Sequence, residues 1–481
     1  MPNSAMSPGF VWLKERSTTG DHELFDSVRG VHKYMESNST NAESTSTTTL
    51  TSFDSNGFTL GSSSLVNDNN VTYAGWAWDA GSSTTTIAAG SLNSSAYNQS
   101  QTWSNLVTGT LETTYGNSSP AAPFQGTTGS SYADGIRPTN GNYLSMNFGT
   151  TFASATTVRI YGHASLDGAA YTGANENLKI NGTALTAAEW ANNGGGTGSG
   201  QQNATFTLSS GLTSLEWGYS SGSQSTGYLY LQAIEVDGKL LTNSGVTPPN
   251  VPSIASTVRA SAASGFSSVS YTGTGANATF GHGLNAAPEM VIIKQRNGTG
   301  FWVVGHKDLP FTNDYYMSLN TSDAVSTGAG GVAWQSTAPT SSVVTIGTSG
   351  VLNGSGNTHI AYCFAPVAGY SAMGSYQGNG SADGSFVFTG FKIAWLLIKR
   401  TDATKSWQLI DNARSTFNVT DDRLFPDDSA AESNGSNFNL DFLSNGFKCR
   451  TAHNSTNESG GTYIYLALAS HPFASNGGLA R

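Results

Sequence analysis

Three short segments of the sequence repeat one apolar pattern that runs into a lysine. They are FVWLKER (residues 10–16), MVIIKQR (290–296) and WLLIKRT (395–401). Apolar runs of this length, rich in β-branched and aromatic residues and bounded by Gly, Ser or Asn, are typical of β-strands. The chain therefore contains one strand pattern in three copies.

The similarity continues on both sides when the copies are aligned on Lys14, Lys294 and Lys399. A tryptophan follows eight residues later in the second and third copies, as Trp302 and Trp407, and His22 holds that position in the first. Each copy then has a turn flanked by apolar residues, FDSNGF, IGTSGV or FLSNGF, in which Gly allows the positive φ of a tight hairpin. Each closes on an aromatic strand, TYAGWAW, THIAYCF or TYIYLAL. The sequence predicts one folding unit used three times.

One pair of opposite charges recurs between copies. Asp26 and Arg29 in DHELFDSVRG correspond to Asp411 and Arg414 in SWQLIDNARS, whereas VVGHKDLP in the second copy departs from this pattern. A pair that recurs within one chain favours a role in the fold, such as an ion pair that fixes a loop.

The second and third copies also share a lead-in segment, SYTGTG (270–275) and SYQGNG (375–380). The first copy has no room for this segment before its lysine. Either its first strand is dispensable, or a neighbouring chain or domain supplies it.

We predict an all-β fold of tandem β-sandwich or jelly-roll-like domains, with three related repeats and one inserted sandwich. The predicted segments are repeat unit 1 (1–96), the inserted sandwich (97–246), a linker with repeat unit 2 (247–368) and repeat unit 3 (369–481). The insert is closed by VTPPNVPS (246–253), in which proline favours an extended spacer. The insert has sandwich-like strands between glycine-rich loops. Within it Thr186 and Glu189 have capping-box spacing before a short helix.

Composition limits the classes of partner. The formal charge of −10 comes without a basic run, so we expect no nucleic acid partner. The start MPNSAMSPGF is polar and no apolar run approaches the length of a membrane helix, so we expect neither a signal peptide nor membrane insertion. Cys363 and Cys449 are too few for a disulfide framework and are expected to be buried thiols.

No motif in the sequence predicts a catalytic, metal or cofactor site. GYSSG (218–222) matches a nucleophile elbow at Ser220, but a second strand follows it where the elbow requires a helix. Aspartates before glycine, as in Asp134-Gly135, Asp167-Gly168 and Asp237-Gly238, are ordinary turn chemistry. The histidines lack metal-type spacing and are expected at isolated surface or turn positions: His22, His32, His163, His282, His306, His359, His453 and His471.

Ligand-contacting residues are unknown from the sequence, and Tyr228 and Tyr230 are the candidates. They alternate with Leu229 and Leu231, so one pair faces the core and the other does not. Outward-facing tyrosines would offer flat, amphipathic surface for stacking on sugars or protein.

The first copy, PGFVWLKERSTTGDHELFDSVRG followed by LTSFDSNGFTLGS and TYAGWAWDAG, resembles a β domain of unknown function. That domain is found, often in tandem, in structural proteins of marine tailed bacteriophages, which carry stretches similar to YNQSQTWSN (97–105) and LYLQAIEVDGKLL (229–241). The middle segment resembles a galactose-binding-type jelly roll, although FQG (124–126) stands where such domains often have FDG.

The resemblance implies a virion protein, made in the host cytoplasm and assembled with other virion proteins. We expect a non-enzymatic appendage, such as a tail fibre, knob or horn, that attaches to host surface glycans. A capsid decoration or cement protein and an enzyme that degrades surface polysaccharide are the alternatives. Unpaired sheet edges favour a homo-oligomer, and the resemblance suggests a homotrimer.

Overall fold

The structure is a computed structural model of the 481-residue chain. It describes residues 6–89 and 101–470, apart from 115, 127–128, 130, 140, 155, 165–177, 196–199, 219–228, 238, 245, 247–251 and 328–331. The chain divides into two compact units, of which unit 1 is Met1–Ala89 with Pro252–Arg481 and unit 2 is Gly90–Val251. Unit 1 contains all three repeats. The predicted all-β fold is confirmed, since the described residues form antiparallel sheets with short helices only.

Repeat 1 forms one five-stranded sheet and one hairpin. Its elements are β1 (Phe10–Glu15), β2 (His22–Asp26), β3 (Lys33–Glu36), β4 (Ser44–Thr45), β5 (Leu50–Asp54), β6 (Gly57–Leu60), α1 (Ser64–Asn67), β7 (Tyr73–Trp78) and β8 (Thr85–Ile87). The sheet order is β4-β3-β2-β1-β7, and β5 pairs with β6 across the Asn-Gly turn.

Unit 2 is a two-sheet sandwich. Its elements are β9 (Val107–Thr108), β10 (Tyr143–Phe152), β11 (Thr156–Ala164), β12 (Lys179–Ile180), β13 (Thr183–Ala184), α2 (Ala187–Asn192), β14 (Gly200–Leu208), β15 (Leu212–Gly218), β16 (Leu229–Val236) and β17 (Lys239–Leu240). The sheet orders are β13-β12-β15-β10-β9 and β14-β11-β16-β17. The predicted capping box of Thr186 and Glu189 starts α2.

Repeat 2 has the largest sheet. Its elements are β18 (Ser256–Ser261), β19 (Phe266–Thr272), β20 (Ala278–Gly281), β21 (Met290–Gln295), β22 (Val303–His306), β23 (Tyr315–Ser318), β24 (Ser326–Thr327), β25 (Val343–Ile346), α3 (Gly350–Asn353) and β26 (Thr358–Phe364). The order is β24-β23-β22-β21-β26-β19-β18-β8, so β8 of repeat 1 completes this sheet, while β20 pairs with β25.

Repeat 3 has the same design. Its strands are β27 (Ser371–Gln377), β28 (Phe386–Phe388), β29 (Ile393–Arg400), β30 (Gln408–Asp411), β31 (Asp422–Arg423), β32 (Ser433–Asn434), β33 (Leu440–Leu443), β34 (Gly446–Cys449) and β35 (Thr462–Ala469). The sheets are β27-β35-β29-β30, β28-β34-β33 and β31-β32. Single turns of 3-10 helix complete the fold at Trp103–Leu106, Ala122–Phe124, Tyr132–Asp134, Phe311–Asn313 and Ser436–Phe438.

The repeated strand is apolar on both faces because it separates two cores. In β1, Phe10 and Trp12 enter a core shared by all three repeats, while Val11 and Leu13 enter a core of repeat 1 alone. Strands β21 and β29 divide their side chains in the same way. Side chains alternate between the faces of a strand, so one strand serves both cores.

The three buried lysines join the repeats into a closed cycle. Lys14, Lys294 and Lys399 are at most 1% exposed. The Nζ of Lys14 donates to the carbonyl of Ser429 in repeat 3 (3.4 Å), and that of Lys399 to Asp323 in repeat 2 (2.8 Å). The Nζ of Lys294 donates to Thr40 in repeat 1 (3.1 Å), which closes the cycle.

Backbone hydrogen bonds repeat this cycle at matching positions. Six residues after each lysine, the amides of Gly20, Gly300 and Lys405 donate to carbonyls of the neighbouring repeat at 2.8–3.0 Å. The tryptophan position contributes as well, since the indole N–H of Trp302 donates to Glu36 and that of Trp407 to Ser318. The repeats therefore do not extend as a linear array but close on one another around a common core.

The predicted Asp–Arg pairs are confirmed, and they also contact the neighbouring repeat. The Asp26 carboxylate accepts hydrogen bonds from Arg29 and from the Tyr362 hydroxyl of repeat 2, the latter at 2.8 Å. Asp411 likewise accepts from Arg414 (2.6 Å) and from the Trp76 indole of repeat 1 (3.0 Å). In repeat 2 the same position is His306, which faces the backbone carbonyl of Tyr465 instead.

We predict that the Lys294 ammonium makes stability depend on pH. Burial lowers the pKa of Lys294 to about 8 from 10.5, so between these values the unfolded chain binds more protons than the folded chain. The free energy of unfolding of the parent protein, relative to Lys294→Met, should therefore rise from pH 8 to 10.5 and stay level from pH 6 to 7.5. Denaturant titrations at each pH measure it.

The control for this experiment is Lys392→Met, because Lys392 is exposed. Its difference from the parent protein should not change over the same pH range. A Lys294→Met difference that is equally flat would contradict the account.

We predict unequal costs when the Asp26 network is broken. Tyr362→Phe removes one hydroxyl and should lower the free energy of unfolding by about 1 kcal/mol. Asp26→Ala leaves the buried Arg29 guanidinium with only the more distant carboxylate of Glu43 (3.6 Å) and should lower it by about 3–5 kcal/mol. Urea titration measures both, with Tyr316→Phe as the control outside the network. Equal losses for the two variants would show that the buried charge is not held by Asp26.

Candidate functional site

A row of polar side chains crosses four strands of the first sheet of unit 2. Thr108, Ser145, Glu216 and Lys179 follow one another through direct register pairs on β9, β10, β15 and β12. Their strand neighbours Leu144, Met146, Leu215, Trp217 and Ile180 fill the sandwich core. Alternation along the strands therefore places the row on the outer face.

This row is internally hydrogen-bonded. The hydroxyls of Thr108 and Ser145 are 2.8 Å apart, and the Lys179 ammonium pairs with the Glu216 carboxylate. The hydrogen bond with Glu216 raises the pKa of Lys179. Both charged side chains are about one third exposed, so they remain accessible to a ligand.

Tyr143 lies beside the row in a position set by a glycine. Tyr143 pairs with Gly218 across β10 and β15, and a Cβ on Gly218 would come within 2.0 Å of the tyrosine ring. The Lys179 ammonium is 5.1 Å from the ring centroid. The glycine thus lets the ring lie against the neighbouring strand, next to the charged pair.

The row forms part of a groove of about 410 Å³. Its polar lining residues are Asn105, Thr108, Ser145, Asn147, Lys179, Ser214 and Glu216. Hydroxyl, amide, carboxylate and ammonium groups supply both donors and acceptors, the set that suits a ligand rich in hydroxyls. Glu216 is the one carboxylate among the described lining residues.

Tyr230, one of the two candidate ligand-contacting residues, does not face solvent. Its side chain is buried, and so is Leu231 on the opposite face of β16. The segment that includes Gly116 and Gly135 covers the tyrosine, because a Cβ at either position would lie within 3 Å of Tyr230. The Arg137 guanidinium lies 5.3 Å from its ring centroid. Tyr228 and Ser220 lie outside the described residues.

The other motifs have structural positions. Gln125 of FQG donates to the carbonyl of Ala121 from an exposed position, and Trp103 is buried in the core of unit 2. Asp237 accepts hydrogen bonds from Thr156 and Thr157, as expected of a turn residue.

Several histidines are buried, contrary to the expectation from sequence. His22, His282, His306 and His359 are fully buried in unit 1. Desolvation lowers the pKa of His282, His306 and His359 to about 4, so these imidazoles are neutral near pH 7. The sequence did not predict this, because a lone histidine carries no mark of its burial.

The reactive groups of unit 1 also lie in cores. Burial raises the pKa of Cys363 and of Cys449 to about 12, so both thiols stay protonated. No group of three or more metal-ligating side chains occurs among the described residues. In the same residues, every helix is too short or too polar to cross a membrane.

A family model described as Domain of unknown function (DUF7483) matches residues 2–120 and 241–472, well over half of the chain. The chain belongs to this family. No curated protein and no solved structure matches it. The DUF7483 match covers the three repeats, and residues 121–240, which carry Ser145, Asn147, Lys179 and Glu216, interrupt it.

Proposed function

We propose that this DUF7483 protein is a non-enzymatic structural protein of a bacteriophage particle, of the appendage type, that attaches to glycans on the host surface. The three repeats of unit 1 form a rigid frame, and the groove of unit 2 binds the glycan. The closed cycle of buried lysines is the observation that supports the rigid frame.

The rigidity of the frame follows from a core that all three repeats share. The shared core contains aromatic side chains from every repeat, including Trp12, Trp302 and Trp407. A central cavity of about 10 Å³, lined by residues of all three repeats, holds at most one water molecule. Such close packing resists deformation, which suits a rigid frame.

The placement of reactive side chains supports a role without catalysis. The lysines whose pKa burial lowers to about 8 each hold carbonyls of a neighbouring repeat. The described lining of the groove has hydroxyl and amide groups around the Glu216 carboxylate, which is already paired with Lys179. This arrangement favours recognition over bond cleavage.

The assignment to a virus particle rests on the resemblance of the first repeat to β domains of phage structural proteins. Other virion proteins are then its partners, and the assembled particle is its location. The chain already joins three repeats into one frame, so the proposal does not require a homotrimer for the frame itself.

The test is binding of fluorescently labelled protein to cells of candidate marine bacteria. A second version replaces residues 90–251 with a short Gly/Ser linker, which is feasible because Ile87 and Ser256 pair directly in one sheet. We expect saturable binding by the full chain and none by the shortened one. Ser145→Ala, Asn147→Ala and Ser214→Ala together should weaken binding by about tenfold or more, since each removes a hydrogen-bonding group.

The matched control is Thr205→Ala with Thr207→Ala, on the outer face of the other sheet, which should bind as the parent protein does. Absence of binding by the folded full chain contradicts the attachment role and favours a decoration protein, present in hundreds of copies in purified particles. Release of reducing sugars from host polysaccharide contradicts the absence of catalysis.

A further inference from the structure

Repeats 2 and 3 each have a lead-in strand at a position that no described residue of repeat 1 occupies. In repeat 2, β19 pairs with the closing strand β26, and in repeat 3, β27 pairs with β35. The equivalent strand of repeat 1, β7, pairs with β1 on one side only among the described residues. In the part of the chain that the structure describes, repeat 1 therefore has an open sheet edge where repeats 2 and 3 have a strand.

An asparagine holds the lead-in segment in each complete repeat. Asn353 accepts from the Thr274 amide at 2.8 Å and donates to the carbonyl of Ala276. Asn457 accepts from the Asn379 amide at 2.9 Å and donates to the carbonyl of Ser381. The residues that follow Thr274 and Asn379 are both glycines with positive φ, Gly275 at +74° and Gly380 at +67°. This conformation explains the glycine that ends the shared SYxGxG pattern.

Repeat 1 retains this asparagine without the segment that it would hold. Asn353 and Asn457 each donate to the carbonyl six residues earlier, that of Gly347 or Thr451. Asn67 makes the same contact with Gly61 at 2.9 Å. Its Oδ1 accepts from no described residue, and Asn67 is exposed whereas its two counterparts are buried.

The aromatic partner of the lead-in segment is also retained. The ring of Tyr271 stacks on His359 at 5.1 Å, and that of Tyr376 stacks on Tyr463 at 4.9 Å. Tyr73 holds the same place at the start of β7, the second residue of TYAGWAW. It is partly buried and no described aromatic ring stacks on it.

The outer core of repeat 1 is correspondingly incomplete. Phe447 is fully buried and contacts the ring of Tyr376 at 5.5 Å. Its counterpart Phe58 is only partly buried, as are Phe53 and Leu60 in the same hairpin. An apolar surface lies open next to the free edge of β7.

We propose that repeat 1 is a receptor for a β-strand with the SYxGxG pattern, supplied by another polypeptide. The two segments of this kind in the sequence pair with the closing strands of repeats 2 and 3, so neither is free to occupy this edge. The incoming strand pairs antiparallel to β7, stacks its tyrosine on Tyr73 and donates a backbone N–H to Oδ1 of Asn67. Its apolar residues cover Phe58, as main-chain pairing and side-chain pockets do in strand addition.

The experiment uses the full chain and a labelled synthetic peptide with the sequence of residues 371–390, SAMGSYQGNGSADGSFVFTG. We expect saturable binding of one peptide per chain in fluorescence anisotropy. Binding should weaken about tenfold or more with Asn67→Ala in the protein, and similarly with Tyr376→Ala in the peptide. Asn69→Ala, an exposed asparagine two residues from the site, should leave affinity unchanged.

Thermal unfolding of each variant shows whether the protein remains folded. Absence of peptide binding by the folded, monomeric chain overturns the proposal. Binding that Asn67→Ala leaves unchanged also overturns it, because the peptide would then be replacing β27 in repeat 3. A dimer in light scattering that Asn67→Ala dissociates overturns it in favour of a second copy of this chain.

Discussion

The rest of unit 1 depends on burying three lysine ammonium groups in an apolar core. A buried charge is unfavourable unless polar groups surround it. Each repeat supplies one carbonyl from the residue after its own lysine, but the others come from the next repeat. No repeat can therefore satisfy its lysine alone, and the chain closes into a cycle.

The residues that join neighbouring repeats change in pairs from one junction to another. Two junctions join an arginine after the lysine pattern to a glutamate of the neighbouring repeat, as Arg16 with Glu432 and Arg296 with Glu43. At the third, Thr401 and Val325 hold these positions and only their backbones bond. Repeat 2 thus lacks both the glutamate of this junction and the Asp–Arg pair. It departs from the charge pattern of the other repeats at both positions.

Local signals in the sequence predicted the all-β class, the register of the three repeats, the Asp–Arg pairs and the cap of α2, because each depends on residues close together in the chain. Closure of the cycle was not predictable, since Lys14 and Ser429 are more than 400 residues apart. The polar groove was missed for the same reason, as its row joins Thr108 to Glu216 through strand register. The burial of Tyr230 was not predictable either, because alternation gives the face of a side chain but not what covers that face.

Hydrogen exchange at three backbone amides tests the closed cycle most directly. The amides of Glu43, Val325 and Glu432 each donate at 2.8 Å across a different junction between repeats. If the cycle is closed, all three exchange with the same high protection as the central strands, through global unfolding of unit 1. Fast exchange at any one of them, with the central strands still protected, would show an open junction and contradict the account.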